Sequence, residues 1–326
     1  MNPKTLFLSC DWGTSSFRLR LVERAGLKML AEESSAEGNA ATAALWAQAG
    51  RPPEQRLGFY RAIIERHLLK LEATMKMALD AVPVVISGMA SSTIGMVELP
   101  YKSLPFATDG SDLATRIIAP AADFPHAILL ISGVKSDDDV MRGEETQLVG
   151  CKFENTAALQ LFLHPGTHAK HVLVQHGRAV ALKTYMTGEF FSLLSTKGIL
   201  AASVAAGGEL AAGNNPHWLE QGVRDSQTVN LLHNAFLVRT NDLFQKATRQ
   251  ENYFYLSGLL IGSECRDLRA DAPARITLAG EPQLVAHYAV ALRVLGIGGK
   301  DAVQTKSAGE VTLNGQLVVL LQHPEL

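Results

Sequence analysis

Residues 11–16 form the first arrangement of side chains in this chain that could do chemistry. Asp11 ends an apolar stretch, and a turn of small residues follows it, namely Gly13, Thr14, Ser15 and Ser16. A hairpin of this kind presents backbone N–H groups and hydroxyls at its tip, which suit phosphate oxygens. A carboxylate beside the tip suits Mg²⁺, directly or through water. The alternative is an ordinary hairpin with a polar turn, because turns use the same small residues.

A second turn of small residues lies in the other half of the chain, where Gly166 and Thr167 follow the apolar stretch 159–163. It predicts a second phosphate-binding tip, with Lys170 as a charge partner or, alternatively, as a solvated strand end. The motifs GxxxxGK[ST] and GxGxxG do not occur, which excludes the P-loop and Rossmann fingerprints. Two facing tips would position ATP for phosphoryl transfer, a reaction catalysed mostly by placement and charge neutralisation.

Five carboxylates crowd the segment 137–145, just after a predicted buried strand. One of them can accept the proton of an attacking hydroxyl; Glu144 or Glu145 is the first candidate and Asp139 the next. Arg142 suits a substrate carboxylate, which its planar guanidinium can bind through two hydrogen bonds. The alternatives are helix capping by the carboxylates, which any helix N-terminus favours, and a structural Arg–Glu pair.

Small polar residues also follow two predicted strands at the sheet edge where open α/β folds bind ligands. The loop that begins at Ser87 and Gly88 suits a polyhydroxylated or carboxylated small molecule. Gly280, followed by Glu281, stands between a strand and a helix, where a glycine lets adenine and ribose approach the backbone. The candidate substrate-binding residues are Arg142, Arg18, Ser87, Gly88, Met89 and Ser92.

The composition predicts a folded protein of two domains. The chain has 326 residues, of which 47% are hydrophobic, and a formal net charge of −2. With 30 basic and 32 acidic residues and no basic run, nucleic-acid binding has no electrostatic support. Three separated cysteines in apolar stretches indicate buried thiols in a reducing compartment. We therefore expect a soluble, cytoplasmic protein, since the sequence shows no leader and no apolar run long enough to span a membrane.

The predicted elements place these residues in two similar halves. In the first half, we predict strands at 6–8, 17–21 and 28–33, a surface connection at 34–55, a helix at 56–80, and strands at 82–86 and 127–131. This is the βββαβαβ order of a ribonuclease H-like domain. In the second half, we predict strands at 159–163, 172–175, 179–184 and 276–278, and helices from about 188, at 255–268 and after 280. The duplication predicts two hairpin tips that face each other across a cleft.

Six segments of the sequence resemble the 2-dehydro-3-deoxygalactonokinase family in order and spacing. They are DWGTSSFRLRL, ISGMASSTIG…LPY, DVMRGEETQLVG, HPGTHAKHV, YMTGE and YLSGLLIGSE. The resemblance runs from Leu6 to about Val294 and is weakest across 34–55 and 205–250. The family belongs to the actin/hexokinase/Hsp70-like ATPase superfamily.

The resemblance therefore implies an α/β fold of two ribonuclease H-like (actin-like ATPase) domains facing each other across a nucleotide cleft. We predict an N-terminal domain at 1–150, with the sugar-acid site and the first phosphate motif. A C-terminal domain at 151–326 would carry the second phosphate motif and the adenosine site, with a helical insertion at about 201–250.

The same resemblance implies ATP- and Mg²⁺-dependent phosphorylation of the 6-hydroxyl of 2-dehydro-3-deoxy-D-galactonate, in galactonate catabolism ahead of an aldolase. Asp11 would hold the metal, and the adenosine candidates are Gly280 and Glu281. The phosphate-binding candidates are Gly13, Thr14, Ser15, Gly166, Thr167, His168 and Lys170. The segment 144–150 is similar to the first connecting helix of sugar kinases, whose N-terminus usually carries a catalytic Asp; here glutamates stand there.

The sequence departs from the family after Gly88. Family members tend to have Gly and Trp where Ala90 or Ser91 and Met96 stand, which bears on the epimer that the pocket prefers. Two alternatives stay open: a kinase of the same fold for another sugar or sugar acid, such as the gluconate epimer, and an ATP-binding switch protein. The expected partner is a small sugar acid rather than nucleic acid or a membrane, with a homodimer as the commonest oligomer.

Overall fold

The fold was obtained as a computed structural model, which describes residues 3–299 and 301–326. The strands are β1 (Leu6–Trp12), β2 (Phe17–Glu23), β3 (Lys28–Ser35), β4 (Val84–Gly88), β5 (Lys102–Ser103), β6 (Phe106–Ala107), β7 (Thr115–Ile118), β8 (Ile128–Ile131), β9 (Val134–Lys135), β10 (Val140–Met141), β11 (Gln160–His164), β12 (Ala169–Gln175), β13 (Arg178–Tyr185), β14 (Arg275–Gly280) and β15 (Val303–Ser307). The α-helices are α1 (Asn39–Ala49), α2 (Arg56–Met75), α3 (Glu144–Gly150), α4 (Thr187–Thr196), α5 (Asn215–Asp225), α6 (Leu231–Leu243), α7 (Arg249–Glu264), α8 (Leu268–Asp271), α9 (Pro282–Leu295) and α10 (Ala308–Leu320).

The chain divides into two compact units. Unit 1 contains the described residues up to Glu154, with Gly177–Val180 and Gly309–Leu326. Unit 2 contains Asn155–His176 and Ala181–Ala308. The C-terminal helix α10 thus packs almost entirely within unit 1, whereas the predicted division placed all of 151–326 in one domain. The reason is local: on α10, the buried Gln316 donates to the carbonyl of Cys10 in β1 (3.0 Å) and to the hydroxyl of Ser87 in β4 (2.9 Å).

Unit 1 is built on a six-stranded sheet in the order β3-β2-β1-β4-β8-β7. Strands β1, β2 and β3 are antiparallel neighbours, while β4 runs parallel to β1 and β8 parallel to β4. This confirms the ribonuclease H-like order predicted for the first half. The apolar face of α2 covers the sheet, because the buried residues Ile64, Leu68 and Leu71 recur at helical spacing and pack in one core with Leu8 and Trp12.

Unit 2 repeats this arrangement. Its sheet runs β15-β14-β11-β12-β13, with β11 antiparallel to β12 and parallel to β14, and β15 parallel to β14. The order is that of unit 1 with β11 in the place of β1, which confirms the predicted duplication. Helices α7 and α9 bury Ile261 and Leu292 against Leu161 and Leu278 of the sheet.

Two local differences from the predicted elements have clear causes. The segment 34–55, predicted as a surface connection, contains α1, whose small residues form a helix that ends at Gly50 in the left-handed conformation. Helix α7 begins at Arg249 rather than near 255, because Thr248 and Glu251 form a capping box. The segment 201–250, predicted as a helical insertion, contains the helices α5 and α6. None of the described helices is long and apolar enough to cross a membrane.

Candidate active site

The tip between β1 and β2 in unit 1 is the first part of the candidate site. Thr14 and Ser15 are exposed there, and the Gly13 N–H donates to the Ser16 carbonyl at 3.0 Å to close the turn. Asp11 is half-buried one residue before the end of β1, opposite Arg18 on β2 and beside Ser87 on β4. The tip therefore offers exposed hydroxyls next to a carboxylate, as the sequence predicted.

The start of α1 braces this tip. The Asn39 N–H donates to the Gly13 carbonyl at 2.9 Å, and the Asn39 side chain donates to the carbonyl of Trp12 at 3.0 Å. Gly38 lies so close that a Cβ there would come within 2.5 Å of the Ser16 backbone nitrogen. A side chain at Gly38 would therefore push the tip out of place.

The tip between β11 and β12 in unit 2 is braced in the same way by the start of α4. A Cβ on Gly188 would lie 2.8 Å from the Thr167 Cα and would collide with the Gly166 carbonyl. The Glu189 N–H donates to the Thr167 carbonyl at 3.0 Å. The exposed His168 pairs with the Glu189 carboxylate at 2.6 Å.

Lys170 lies on β12, close to this tip. It is buried, and its Nζ donates to the Thr184 hydroxyl at 2.7 Å. The alternative of a solvated strand end is therefore wrong for this lysine. Its role as a charge partner for phosphate stays a prediction.

The carboxylates of the segment 137–145 separate into two places within unit 1. Asp139 lies in the β9–β10 hairpin turn, where its side chain accepts from the Val140 N–H at 2.7 Å. Glu144 and Glu145 instead begin α3. Asp139 therefore has a turn-forming contact, and the structure does not group it with the two glutamates.

Two glycines set the position of the α3 N-terminus. Gly88 has φ = 94° and Gly143 has φ = 110°, values that a side chain would strain. A Cβ on Gly88 would lie 2.7 Å from the Trp12 carbonyl, and one on Gly143 would lie 3.4 Å from the Gly88 Cα. The backbone before α3 thus packs directly on the carboxyl end of β4, which pairs with the end of β1.

Glu144 and Glu145 differ in accessibility. Glu145 is fully buried, and its carboxylate accepts from the Gly143 N–H at 2.7 Å and from the Thr146 hydroxyl at 3.0 Å. Burial, and secondarily the charge of Glu144, raises the pKa of Glu145 to about 7. Glu144 is half-buried and accepts from the Arg142 N–H at 3.0 Å, so a ligand can reach it.

Arg142 is held rigidly. Its Nη1 donates to the carbonyl (2.7 Å) and the hydroxyl of Ser91, and its guanidinium carbon lies 4.2 Å from the ring centre of Tyr101. The Nε is buried without a hydrogen-bond partner. A guanidinium fixed by stacking on a ring is pre-organised for a planar anion.

The other predicted substrate residues are less accessible than the sequence suggested. Ser87 is buried and accepts from Gln316, and the buried Ser92 donates to the Met89 carbonyl at 2.7 Å. Met89 itself is half-buried. Arg18, on β2, is half-buried beside Asp11 in the strand register.

A cavity of about 860 Å³ adjoins the second tip within unit 2. It is lined by Gly166, Thr167 and Gly188 and by the aromatic side chains of Phe191, Tyr253 and Phe254. This volume and this aromatic lining suit a nucleoside whose phosphates extend to the tip.

The predicted adenosine residues, Gly280 and Glu281, do not line this cavity but directly precede residues that do. Gly280 is buried, with Pro165 and Val285 as the nearest neighbours of a Cβ there, and Glu281 is exposed at the N-cap of α9. In this segment, the cavity is lined by residues 282–284 and 286–288.

His287 also lines the cavity, and burial lowers its pKa to about 4, so the imidazole is neutral at pH 7. Its Nδ1 lies 2.9 Å from the Ser257 hydroxyl.

The sequence model of the 2-keto-3-deoxy-galactonokinases matches residues 11–317 of this chain. The chain belongs to this family. It is 32% identical over 318 residues to a Rhizobium meliloti protein described as a probable 2-dehydro-3-deoxygalactonokinase, covering 95% of this chain and 96% of that one. It is 33% identical over 233 residues to the 2-dehydro-3-deoxygalactonokinase of Escherichia coli, covering 69% and 75% of the two chains.

The structural comparison agrees. A crystal structure described as a 2-dehydro-3-deoxygalactonokinase protein from Sinorhizobium meliloti superposes with a TM-score of 0.78 at 29% identity, over 98% of this chain and 97% of that one. The family resemblance found in the sequence is thereby confirmed, and this solved structure shares the fold described above. Membership in this kinase family makes the protein an ATP-using phosphotransferase for a sugar acid.

Sequence reasoning missed several residues of the candidate site. Gly38 precedes Asn39, a common helix-start pattern, so the bracing of the first tip could have been found from that pair. The aromatic cavity lining could not, because Phe191 lies on α4 and Tyr253 on α7, and nothing in their spacing brings them together. Gln316 lies on α10, which the sequence reading did not predict.

Proposed function

We propose that the protein transfers the γ-phosphoryl group of ATP to the 6-hydroxyl of 2-dehydro-3-deoxy-D-galactonate, with Mg²⁺ as the metal. The observation that carries the proposal is the cavity of unit 2, in which an aromatic lining and a phosphate-binding tip are continuous. It supports the nucleotide half of the reaction. The acceptor half is supported by Arg142 and Glu144 of unit 1.

Glu144 is the proposed general base. Of the three carboxylates considered, it alone begins a helix and is also half-exposed, because Glu145 is fully buried and Asp139 lies in the hairpin turn. The hydrogen bond from the Arg142 N–H orients one of its oxygens and leaves the other for the hydroxyl of the sugar acid. Arg142 would bind the carboxylate of the same substrate, because the Tyr101 ring and Ser91 fix its guanidinium.

Asp11 is the proposed metal residue. It is half-buried beside the exposed hydroxyls of Thr14 and Ser15, and an oxygen-only donor set of this kind fits Mg²⁺. When bound, the metal neutralises charge on the phosphates. Gly13, Thr14 and Ser15 at the first tip and Gly166, Thr167 and His168 at the second are the proposed phosphate ligands. Lys170 is proposed as their charge partner.

The wider setting is also part of the proposal. Cys10, Cys151 and Cys265 are buried thiols, which supports a reducing, cytoplasmic location. The net charge of −2 supports a small-molecule partner over nucleic acid. A homodimer stays a prediction.

The first test is ADP release from MgATP with 2-dehydro-3-deoxy-D-galactonate, compared with its gluconate epimer. Preference for the galactonate compound, measured as the ratio of kcat/KM values, supports the proposed substrate. Preference for the epimer would show that the protein performs the same reaction on another sugar acid. Equal ATP hydrolysis with and without either compound would contradict the kinase proposal.

Glu144→Gln tests the base. We expect kcat to fall by about 10²- to 10⁴-fold, the usual contribution of a general base, with KM for ATP little changed. The variant keeps the oxygen that accepts the Arg142 N–H, so its unfolding temperature should stay near that of the wild type. A full rate in the folded variant would show that another group accepts the proton.

A further inference from the structure

A buried hydrogen-bond network in unit 2 centres on Glu264, the last residue of α7. The side chain of Glu264 is 1% exposed, and that of His171 on β12 is 3% exposed. One carboxylate oxygen lies 2.7 Å from the His171 Nε2. The other accepts from the Tyr288 hydroxyl at 2.6 Å and from the Thr187 hydroxyl. Three separate elements, β12, α9 and α4, thus converge on one carboxylate.

A buried carboxylate is costly unless its oxygens have hydrogen-bond partners, and here each oxygen has at least one. The Cys265 thiol is close enough to complete a possible metal cluster with His171 and Glu264. Both Glu264 oxygens are already engaged by protein hydrogen-bond partners, however, so we treat the cluster as a hydrogen-bond network.

Thr187 connects this network to the second tip. It is the first residue of α4, so its position sets that of the two residues that follow. The next residue, Gly188, packs on Gly166 and Thr167, and the Glu189 N–H donates to the Thr167 carbonyl at 3.0 Å. Thr187 and Tyr288 also line the nucleotide cavity.

We propose that Glu264 is a positioning residue for the nucleotide, which acts through the Thr187 hydroxyl to hold the start of α4 against the Gly166–Thr167 tip. The inference rests on the proposed function in one respect, namely that this tip binds phosphate. Glu264 itself does not contact ATP in this proposal. It fixes the backbone of the Gly166–Thr167 tip, which contacts the phosphates. Loss of the hydrogen bond between Glu264 and Thr187 should therefore weaken nucleotide binding more than it slows the chemical step.

The sharpest test changes Thr187 rather than Glu264, because Glu264→Gln turns an amide N–H₂ toward hydroxyl donors and can disturb folding of unit 2. Thr187→Val removes the hydroxyl and keeps the shape. We expect the Kd for ADP, measured by titration calorimetry, and the KM for MgATP to rise roughly tenfold. This is the size of effect expected when one hydrogen bond to a buried charged group is lost. The kcat and the KM for the sugar acid should change less than about twofold. Thr187→Ser restores the hydroxyl and should recover most of the affinity.

Thr240→Val is the matched control, since Thr240 is a half-buried threonine on α6 of the same unit that donates to the Leu237 carbonyl. It should bind ADP as the wild type does. A folded Thr187→Val protein with wild-type ADP affinity would overturn the inference, as would a Thr187→Ser protein as weak as the valine variant. ADP binding does not depend on the acceptor. A wild type that binds ADP but phosphorylates no sugar acid would therefore refute the proposed function and leave this test intact.

Discussion

At the β1–β2 tip of unit 1, Gly38 packs on the turn at 14–16, and the next residue, Asn39, donates its N–H to the tip. At the β11–β12 tip of unit 2, Gly188 packs on Gly166 and Thr167, and Glu189 donates its N–H in turn. In both units, a glycine at the start of a helix makes room for a turn, and the following amide fixes it. The two halves of the duplication thus support their tips in the same way, although the only sequence feature they have in common there is the single glycine.

The anchors of the two braces differ. In unit 1, the residue before Gly38 is Glu37, which is one-third exposed and pairs with Arg66 and His67. The pKa of Glu37 is lowered, and the hydrogen bond from Arg66 is the largest cause. In unit 2, the residue before Gly188 is Thr187, which is anchored on the fully buried Glu264 network.

The residues before the tips differ as well. Asp11 precedes the first tip, whereas His164 and Pro165 precede the second. Unit 1 therefore carries the carboxylates proposed for the chemical step, and unit 2 carries a tip that lines the cavity proposed for the nucleoside. The contrast predicts that changes in unit 1 lower kcat and that changes in unit 2 weaken nucleotide binding.

Asp11→Asn should have the largest effect. Removing one charge from the proposed metal site should lower kcat by at least about a hundredfold, because a metal ion contributes several kcal/mol of charge stabilisation and 1.36 kcal/mol is a factor of ten. The KM for ATP should rise much less. Rates measured over a range of Mg²⁺ concentrations should show that the variant needs more metal.

Asp80→Asn is the control for this change, since Asp80 is an exposed carboxylate of the same unit and its loss alters net charge equally. It should behave as the wild type. If Asp11→Asn kept its rate at low Mg²⁺, the metal assignment would be wrong, and the contrast between the two tips would lose its chemical basis.

Gly188→Ala and Gly38→Ala should distinguish the roles of the two tips, with smaller effects than that of Asp11→Asn. Each added methyl collides with backbone of its tip, a displacement that costs about 1–3 kcal/mol. We expect Gly188→Ala to raise the Kd for ADP by tenfold or more. Gly38→Ala should instead act mainly on kcat and on the Mg²⁺ dependence. Calorimetric ADP titration and steady-state kinetics on both variants measure the difference.

Gly58→Ala provides the matched control, because Gly58 lies in α2 with open space around the position of its Cβ. Alanine there should leave the kinetics unchanged and stabilise the helix by up to about 1 kcal/mol. Identical kinetic defects in Gly38→Ala and Gly188→Ala would show that the two braces do the same work, contrary to the proposed division.

The sequence was sufficient for the parts of the fold that depend on local pattern. The alternating strands around Asp11, the amphipathic spacing of Ile64, Leu68 and Leu71, and the repeat around Gly166 all predicted elements that the structure contains. These patterns are local because each element buries one face, and that face repeats along the sequence.

What the sequence could not provide depends on contacts between distant segments. Glu144 and Glu145 are adjacent residues of the same type, and it is the difference in their burial that distinguishes them as candidates for the base. The hydrogen bond between Thr187 and Glu264 joins residues 77 positions apart, and that between Gln316 and Cys10 joins residues 306 apart. Spacing carries no signal over such separations, so neither the Glu264 network nor the α10 contact could be predicted.

Glu145→Gln should have the smallest kinetic effect, and its signature is a dependence of stability on pH. The pKa of Glu145 is about 7 in the folded protein against an ordinary value of 4.5, so the folded state holds this proton more tightly than the unfolded chain does. Its contribution to stability is complete below about pH 4.5 and is lost as the pH rises through about 7, a loss of order 3 kcal/mol.

Gln does not titrate. From about pH 5 to pH 8, the free energy of unfolding of the variant should therefore gain on that of the wild type, as measured by urea denaturation. Its kcat should stay within about threefold of the wild type, because this carboxylate is fully buried. A rate loss as large as that of Glu144→Gln, with a difference in stability that does not change with pH, would transfer the role of base to Glu145.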